Sequence, residues 1–267
     1  MKNPLKHSRR KKPAPKTDRV TILNRRGKRL HGFLTNVGST SIVLVLPGAG
    51  ESCNQIFYQK IAKVAAAHGL DCLRMDLSGY GESEGNRFEI TPTLHVQDVV
   101  DIYTQLKPNY SSFYAAGFSW GAYIALITSL HVPFHLQFIF SPAIFYENRE
   151  INHAFNRAWK RNGWLPDYNV FVKNGSIRPQ KEKHQLNYAF LTSLRRYTID
   201  NVSRTRVPTI LGCGKKEKLF VKQINQLKEK IHAPVQKNLF SGVGHESRNP
   251  LYYEKALKLI NDNLPTI

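Results

Sequence analysis

The spacing of apolar residues changes several times along the chain, and each change marks an element. From Arg19 the positions alternate: Val20 and Ile22, then, beyond Arg25-Arg26-Gly27-Lys28, Leu30, Gly32 and Leu34. Period-two alternation on both sides of a glycine turn predicts an antiparallel hairpin. The run Ile42-Val43-Leu44-Val45-Leu46 is apolar throughout and stops at Pro47-Gly48. A short run without alternation predicts a strand covered on both faces, the situation of a parallel sheet. Phe57, Ile61, Val64 and Ala65 follow at helical spacing, closed by Gly69.

The same rhythm continues. Residues 70–75 read as a strand ending at Asp76, and a loop with Gly79, Gly81 and Gly85 leads to a helix over about 93–107. A strand from Phe113 to Phe118, a helix from Ala122 to Leu130 and a strand from Leu136 to Phe140 come next, stopped by Ser141-Pro142. After Val207 the pattern gives a strand over 207–213, a helix over about 218–231, a strand over 235–240 and a helix over about 250–262. Repeated strand–helix alternation predicts an α/β fold: a mostly parallel sheet with helices on both faces, entered through the N-terminal antiparallel hairpin.

Residues 143–206 break this rhythm. They hold ten aromatics, among them Trp159, Trp164, Phe171 and Tyr188, in helix-like pieces joined by Pro166 and Gly175. An insertion there would stand above the C-terminal edge of the sheet, so it is expected to be a helical cap over the site. The domain reading is a basic disordered tail over 1–17, a catalytic core from 18–142 with 207–267, and a cap from 143–206.

Composition adds limits. With 41% hydrophobic and 11% aromatic residues, the 267-residue chain can bury a sizeable core. No run approaches ~18 consecutive apolar residues, and the basic N-terminus lacks the apolar centre of a secretory signal. Cys53, Cys72 and Cys213 are too few and too widely spaced for a disulfide framework or a metal cluster. A cytoplasmic protein with reduced thiols is expected. The 39 basic residues against 19 acidic give a net charge of +20, and residues 1–17 contain seven basic residues and no acid. Residues 143–206 carry 12 basic against 5 acidic. Such a field favours an anionic element in the substrate or an anionic membrane surface. No aromatic residue interleaves the tail charges, so no specific nucleic-acid partner is predicted.

Candidate chemistry concentrates at strand ends. Gly117-Phe118-Ser119-Trp120-Gly121 is a G-x-S-x-G pattern between a predicted strand and a predicted helix. Such a turn exposes the serine hydroxyl above the sheet, at the positive end of the following helix. A serine needs a base to take its proton. His245, in Gly242-Val243-Gly244-His245 after the last predicted strand, is placed to supply one. A carboxylate must then orient the imidazole. Glu217 is the only acid in the turn Gly214-Lys215-Lys216-Glu217. Lys215, Lys216 and Lys218 around it leave an exposed, salt-linked glutamate as the other reading, with Glu147 and Glu150 as substitute acids. Pro47-Gly48-Ala49-Gly50-Glu51 follows the first parallel strand, and the backbone N–H groups of Ala49 and Trp120 are the expected oxyanion donors. Ser119, Glu217 and His245 are thus the catalytic candidates, and no metal or organic cofactor is implied.

Four segments together resemble the monoacylglycerol lipase-like branch of the α/β-hydrolases, which includes serine aminopeptidases and small-ester esterases. Pro47 to Ser52 is similar to its His-Gly-x-Gly turn, with proline replacing the histidine. Asp76-Leu77-Ser78-Gly79-Tyr80-Gly81-Glu82-Ser83-Glu84-Gly85 is similar to its Asp-x-x-Gly-x-Gly-x-Ser-x-Gly loop, whose Asp76 and Ser83 would order the loop. Gly117 to Gly121 matches its nucleophile elbow and Gly244-His245 its final turn. Glu217 stands where the family usually has aspartate. The resemblance implies an α/β-hydrolase fold and a serine hydrolase acting on a carboxylic ester, ahead of a thioester or amide. The competing expectation is an inactive scaffold of the same fold, binding a ligand, an anionic membrane or nucleic acid through its basic surface.

Overall fold

The computed structural model describes residues 15–87, 89–144, 176–177, 186–187, 193 and 196–267. An eight-stranded sheet forms its centre. The hairpin strands β1 (Lys16–Leu23) and β2 (Arg29–Asn36) are antiparallel, joined by the predicted turn at Gly27, which has φ 71°. Next in sequence come β3 (Ser41–Leu46), α1 (Ile56–Ala67), β4 (Asp71–Met75), α2 (Pro92–Leu106), β5 (Ser112–Phe118), α3 (Trp120–Thr128) and β6 (Leu136–Phe140). A short antiparallel pair, β7 (Ser176–Ile177) with β8 (Leu186–Asn187), precedes α4 (Ile199–Val202). The chain ends with β9 (Thr209–Gly214), α5 (Lys218–Lys230), β10 (Val235–Phe240) and α6 (Pro250–Asn263).

Strand order is β1-β2-β4-β3-β5-β6-β9-β10. From β4 to β10 every pairing is parallel, while β2 joins β4 antiparallel. The apolar strands explain the arrangement. All residues of β3, β4 and β9 are buried, because a sheet covered on both faces leaves no polar side. Val43, Val45 and Cys72 face one core with Phe57, Tyr58, Ile61, Tyr252 and Ile260 of α1 and α6. Ile42, Leu44 and Leu73 face the other with Val99, Ile124 and Leu227 of α2, α3 and α5. All three cysteines are free and buried. The edge strand β10 is mostly only half-buried.

Element ends follow local chemistry. Thr91 caps α2 by accepting from the Leu94 N–H at 3.1 Å, with Pro92 at the first helical position. Asn249 and Pro250 open α6 in the same way. Two boundaries differ from the sequence reading. β1 begins at Lys16, inside the stretch assigned to the tail, because Lys16 and Thr17 pair with Asn36 and Thr35 and the two threonine hydroxyls bond at 2.9 Å. An exposed polar edge gives no hydrophobic signal for this. Helix α3 starts at Trp120, directly after the serine, rather than at Ala122. Most of the 143–206 insertion and residues 1–14 of the tail lie outside the described residues. Among those described, no helix is long and apolar enough to cross a membrane.

Candidate active site

The site begins at the turn between β5 and α3, which consists of Ser119 alone. Its backbone stands at φ 52° and ψ −113°. A non-glycine residue held in a rare region costs roughly 1–3 kcal/mol and persists only when its surroundings fix it. Here the Ser119 N–H donates to the Phe140 carbonyl at 2.8 Å, and its carbonyl accepts from Tyr123 and Ala143, both at 3.1 Å. The end of β6 thus clamps the turn from both sides.

The Ser119 Oγ lies 2.9 Å from His245 Nε2, and His245 Nδ1 lies 2.7 Å from Glu217 Oε2. An ionised carboxylate can only accept, so Nδ1 carries the proton and Nε2 offers its lone pair to the serine hydroxyl. The ring is held between two phenyls. Phe220 of α5 stacks on it at 4.3 Å and 7°, and Phe118 at 5.0 Å and 28°. These faces limit rotation of the imidazole.

Glu217 is turned inward, with its side chain 1% exposed, while Lys215, Lys216 and Lys218 are exposed. Its Oε1 accepts from the Gly214 N–H at 2.6 Å and from the Ser141 hydroxyl at 2.9 Å. Buried charge is tolerated when hydrogen bonds replace its hydration, and this turn supplies them. The exposed, salt-linked position is therefore not the one this side chain occupies. Ser141 is itself buried at φ 46°, and its Oγ lies 2.7 Å from the Tyr252 hydroxyl. Burial, and after it the Glu217 charge, pushes the Tyr252 hydroxyl well above the usual phenol value, so it stays a proton donor. Glu246 is exposed and accepts from Asn249 at 3.0 Å, away from the histidine ring. Glu147 and Glu150 lie outside the described residues.

The turn after β3 sits beside the elbow, because Leu46 pairs with Gly117 in the sheet. The Gly48 N–H is committed to the Tyr58 hydroxyl at 3.0 Å and to Glu51 at 3.2 Å. Ala49 is exposed, and its N–H has no partner among the described residues. Trp120 opens α3 with its backbone N–H at the helix N-terminus. The loop residues Asp76 and Ser83 act as braces. Asp76 accepts from the Cys53 N–H at 2.6 Å and the Glu82 N–H at 3.2 Å, and Ser83 donates to the Asp76 carbonyl at 2.6 Å. Arg74 holds the other backbone group of Cys53, donating to its carbonyl at 2.8 Å. Among the described residues, no group of three or more His, Cys, Asp or Glu side chains is placed to hold a metal.

Sequence reasoning overlooked His95, which sits with Val96, Val99 and Ile102 on the apolar face of α2. That placement in an otherwise apolar stripe was its one signal. Fully buried, it accepts from the Trp120 indole N–H at 2.8 Å and meets the Ser78 carbonyl at 2.9 Å. It thereby ties the elbow to the glycine-rich loop. Burial pushes its pKa below the ordinary imidazole value, aided by Arg26 and opposed by Asp98 and the Ser78 carbonyl. The unfolded chain takes up a proton here near pH ~6.5 and the folded protein resists it. This contribution to stability is therefore complete above that pH and is lost as the pH falls below it. Urea midpoints at pH 7.5 and pH 5 should differ in that direction, and the gap should shrink in His95→Asn.

A sequence profile of the serine aminopeptidase S33 family matches residues 39–189, more than half of the chain. The chain belongs to this family. The S33 match takes in the turn after β3 and the serine elbow, while Glu217 and His245 lie beyond it. A search of curated proteins returns no match. Solved structures extend the fold likeness over nearly the whole S33 chain. Est1E from Butyrivibrio proteoclasticus, bound to ferulic acid, superposes with a TM-score of 0.74 at 13% identity, over 91% of this chain and 97% of the other. Mouse alpha/beta hydrolase domain-containing protein 10 gives 0.73 at 16%, over 92% and 97%. An esterase from Pyrococcus furiosus gives 0.69 at 18%, over 93% and 90%. At these identities the likeness is one of fold, and that fold is the α/β-hydrolase.

Proposed function

We propose that the chain is a serine hydrolase that cleaves carboxylic esters through an acyl-serine intermediate. The observation that carries this reading is the unbroken hydrogen-bonded line from Ser119 through His245 to a buried Glu217. In this reading the Ser119 Oγ attacks the ester carbonyl as His245 Nε2 takes its proton. Charge forms on the imidazole, where Glu217 offsets it, and on the carbonyl oxygen, where the N–H groups of Ala49 and Trp120 receive it. The imidazolium then protonates the leaving alkoxide. Water, deprotonated by the same nitrogen, attacks the acyl-serine and returns the free enzyme and a carboxylic acid. Residues 143–206 would form the cap of this site, and their ten aromatics support an apolar acyl or aryl group on the substrate. The remaining core would be 16–142 with 207–267, because β1 already pairs from Lys16.

A fluorophosphonate probe and a p-nitrophenyl ester series from acetate to long acyl chains test this. Stoichiometric labelling of the wild type, none in Ser119→Ala, and a turnover optimum along the series are expected. A wild type that neither labels nor turns over any ester would leave the scaffold reading in its place.

A further inference from the structure

The turn bearing Ala49 and the turn bearing His245 are joined by one carboxylate that the hydrolytic mechanism does not itself use. Glu51 closes the β3 turn, its N–H donating to the Gly48 carbonyl at 3.1 Å. Its Oε2 accepts from the Tyr58 hydroxyl and from the Gly48 N–H, the latter at 3.2 Å. Its Oε1 accepts from the hydroxyl of Ser247, two residues beyond the histidine. Tyr58, on α1, and Ser247 are both buried. Burial, and after it the Glu51 charge, raises the Tyr58 pKa well above the phenol value, so this hydroxyl remains a donor to the carboxylate. A Cβ on Gly48 would come within 2.9 Å of Glu51 Oε2, so the absence of a side chain there lets the carboxylate reach its own turn.

We propose that Glu51 is a positioning residue that fixes the oxyanion turn against the histidine turn. The inference rests on the serine-hydrolase reading above. By drawing the Gly48 N–H away to Tyr58 and Glu51, the carboxylate sets the rotation of the next peptide, whose N–H is that of Ala49. By holding Ser247 it sets where the loop delivers the imidazole. Oxyanion donors act through preorganisation, and a misplacement of ~1 Å at a reacting group can cost about a hundredfold in rate. An electrostatic part in substrate binding would show instead in KM.

The experiment measures kcat, KM and the second-order rate of fluorophosphonate labelling for wild type, Glu51→Ala, Glu51→Gln, Ser247→Ala and the Glu51→Ala/Ser247→Ala double variant. Glu51→Ala is expected to lower kcat roughly 10- to 100-fold with KM within about twofold, and labelling should slow in parallel. Glu51→Gln should recover most of the loss. Its amide oxygen can accept from Gly48 and Tyr58 while its nitrogen donates to the Ser247 oxygen. Ser247→Ala should lower kcat by a smaller factor, and the double variant should be no slower than Glu51→Ala alone.

Wild-type kcat in Glu51→Ala, or losses that multiply in the double variant, would overturn the proposal. So would a loss that appears in KM. If Glu51→Ala does not fold, Ser247→Ala with undiminished kcat overturns it, and a reduced kcat with unchanged melting temperature supports it. Labelling that proceeds equally in wild type and Glu51→Ala removes this inference and leaves the hydrolase reading standing. A wild type that does not label removes both.

Discussion

Glu217→Gln is expected to lower ester turnover by about three to four orders of magnitude while leaving the fold in place. The reason lies in which atom the protein would force toward the histidine. Oε1 receives the Gly214 N–H at 2.6 Å, a donor that cannot turn round. The glutamine oxygen would therefore occupy that position and its NH2 group would face His245 Nδ1. The ring would then accept at Nδ1 and carry its proton on Nε2, aimed at the Ser119 hydroxyl that the proposed mechanism requires it to deprotonate. Ser141 keeps its bond, since the glutamine oxygen at that position still accepts from its hydroxyl, so little stability is lost. A pre-steady-state burst with p-nitrophenyl acetate checks this. Its rate should collapse in Glu217→Gln while circular dichroism and the melting temperature stay near wild type. Turnover within tenfold of wild type would mean that another carboxylate orients the ring.

Gly121→Ala should have the largest effect on stability. A Cβ at this position would lie 2.0 Å from the Leu46 carbonyl oxygen and 2.4 Å from that of Pro47. Both are backbone atoms of β3 and its turn, so no side chain can rotate away. Relief requires α3 to lift off the sheet, and the first turn of α3 follows Ser119 directly. A cost above about 3 kcal/mol is expected, beyond ordinary overpacking. In a chain of this size that corresponds to a fall of about 6–12 °C or more in melting temperature. Because the β3 turn moves with the contact, Ser119 labelling should also slow even in the folded fraction. Thermal unfolding and labelling of the same sample check both. A variant with wild-type stability would show that the helix and strand are not in this close contact.

Much of the fold was legible because parallel strands leave an unmistakable trace. Ile42 to Leu46 is apolar on both faces, Leu136 to Phe140 is apolar except at Gln137, and their boundaries follow from the breakers beside them. Ser119 and His245 were legible because each stands in a glycine-bearing turn at a strand end. The environment of Glu217 was not. Three lysines around it indicate an exposed surface, whereas its burial is decided by a backbone N–H from its own turn and by Ser141, 76 residues away. Ser141 carries no motif, and its left-handed backbone is set by the clamp between β6 and the elbow. Glu51 looked like one letter of a glycine-rich turn, because its link to Ser247 spans 196 residues and only the folded sheet brings the two together.

The half-buried edge strand β10 has a consequence for how the protein loses and regains its competence. Ser119 and His245 are 126 residues apart, so their contact carries the entropy of closing a long loop and forms only once the sheet is complete. The histidine arrives on the turn that follows β10, which among the described residues has one hydrogen-bonded neighbour and the sparsest burial of the parallel set. Partial opening that frees this strand would leave β3, β5 and their helices in place and yet separate His245, the proposed base, from Ser119. Under the proposed mechanism, recovery of ester turnover during refolding is therefore a clock for the docking of the last strand rather than for collapse of the core.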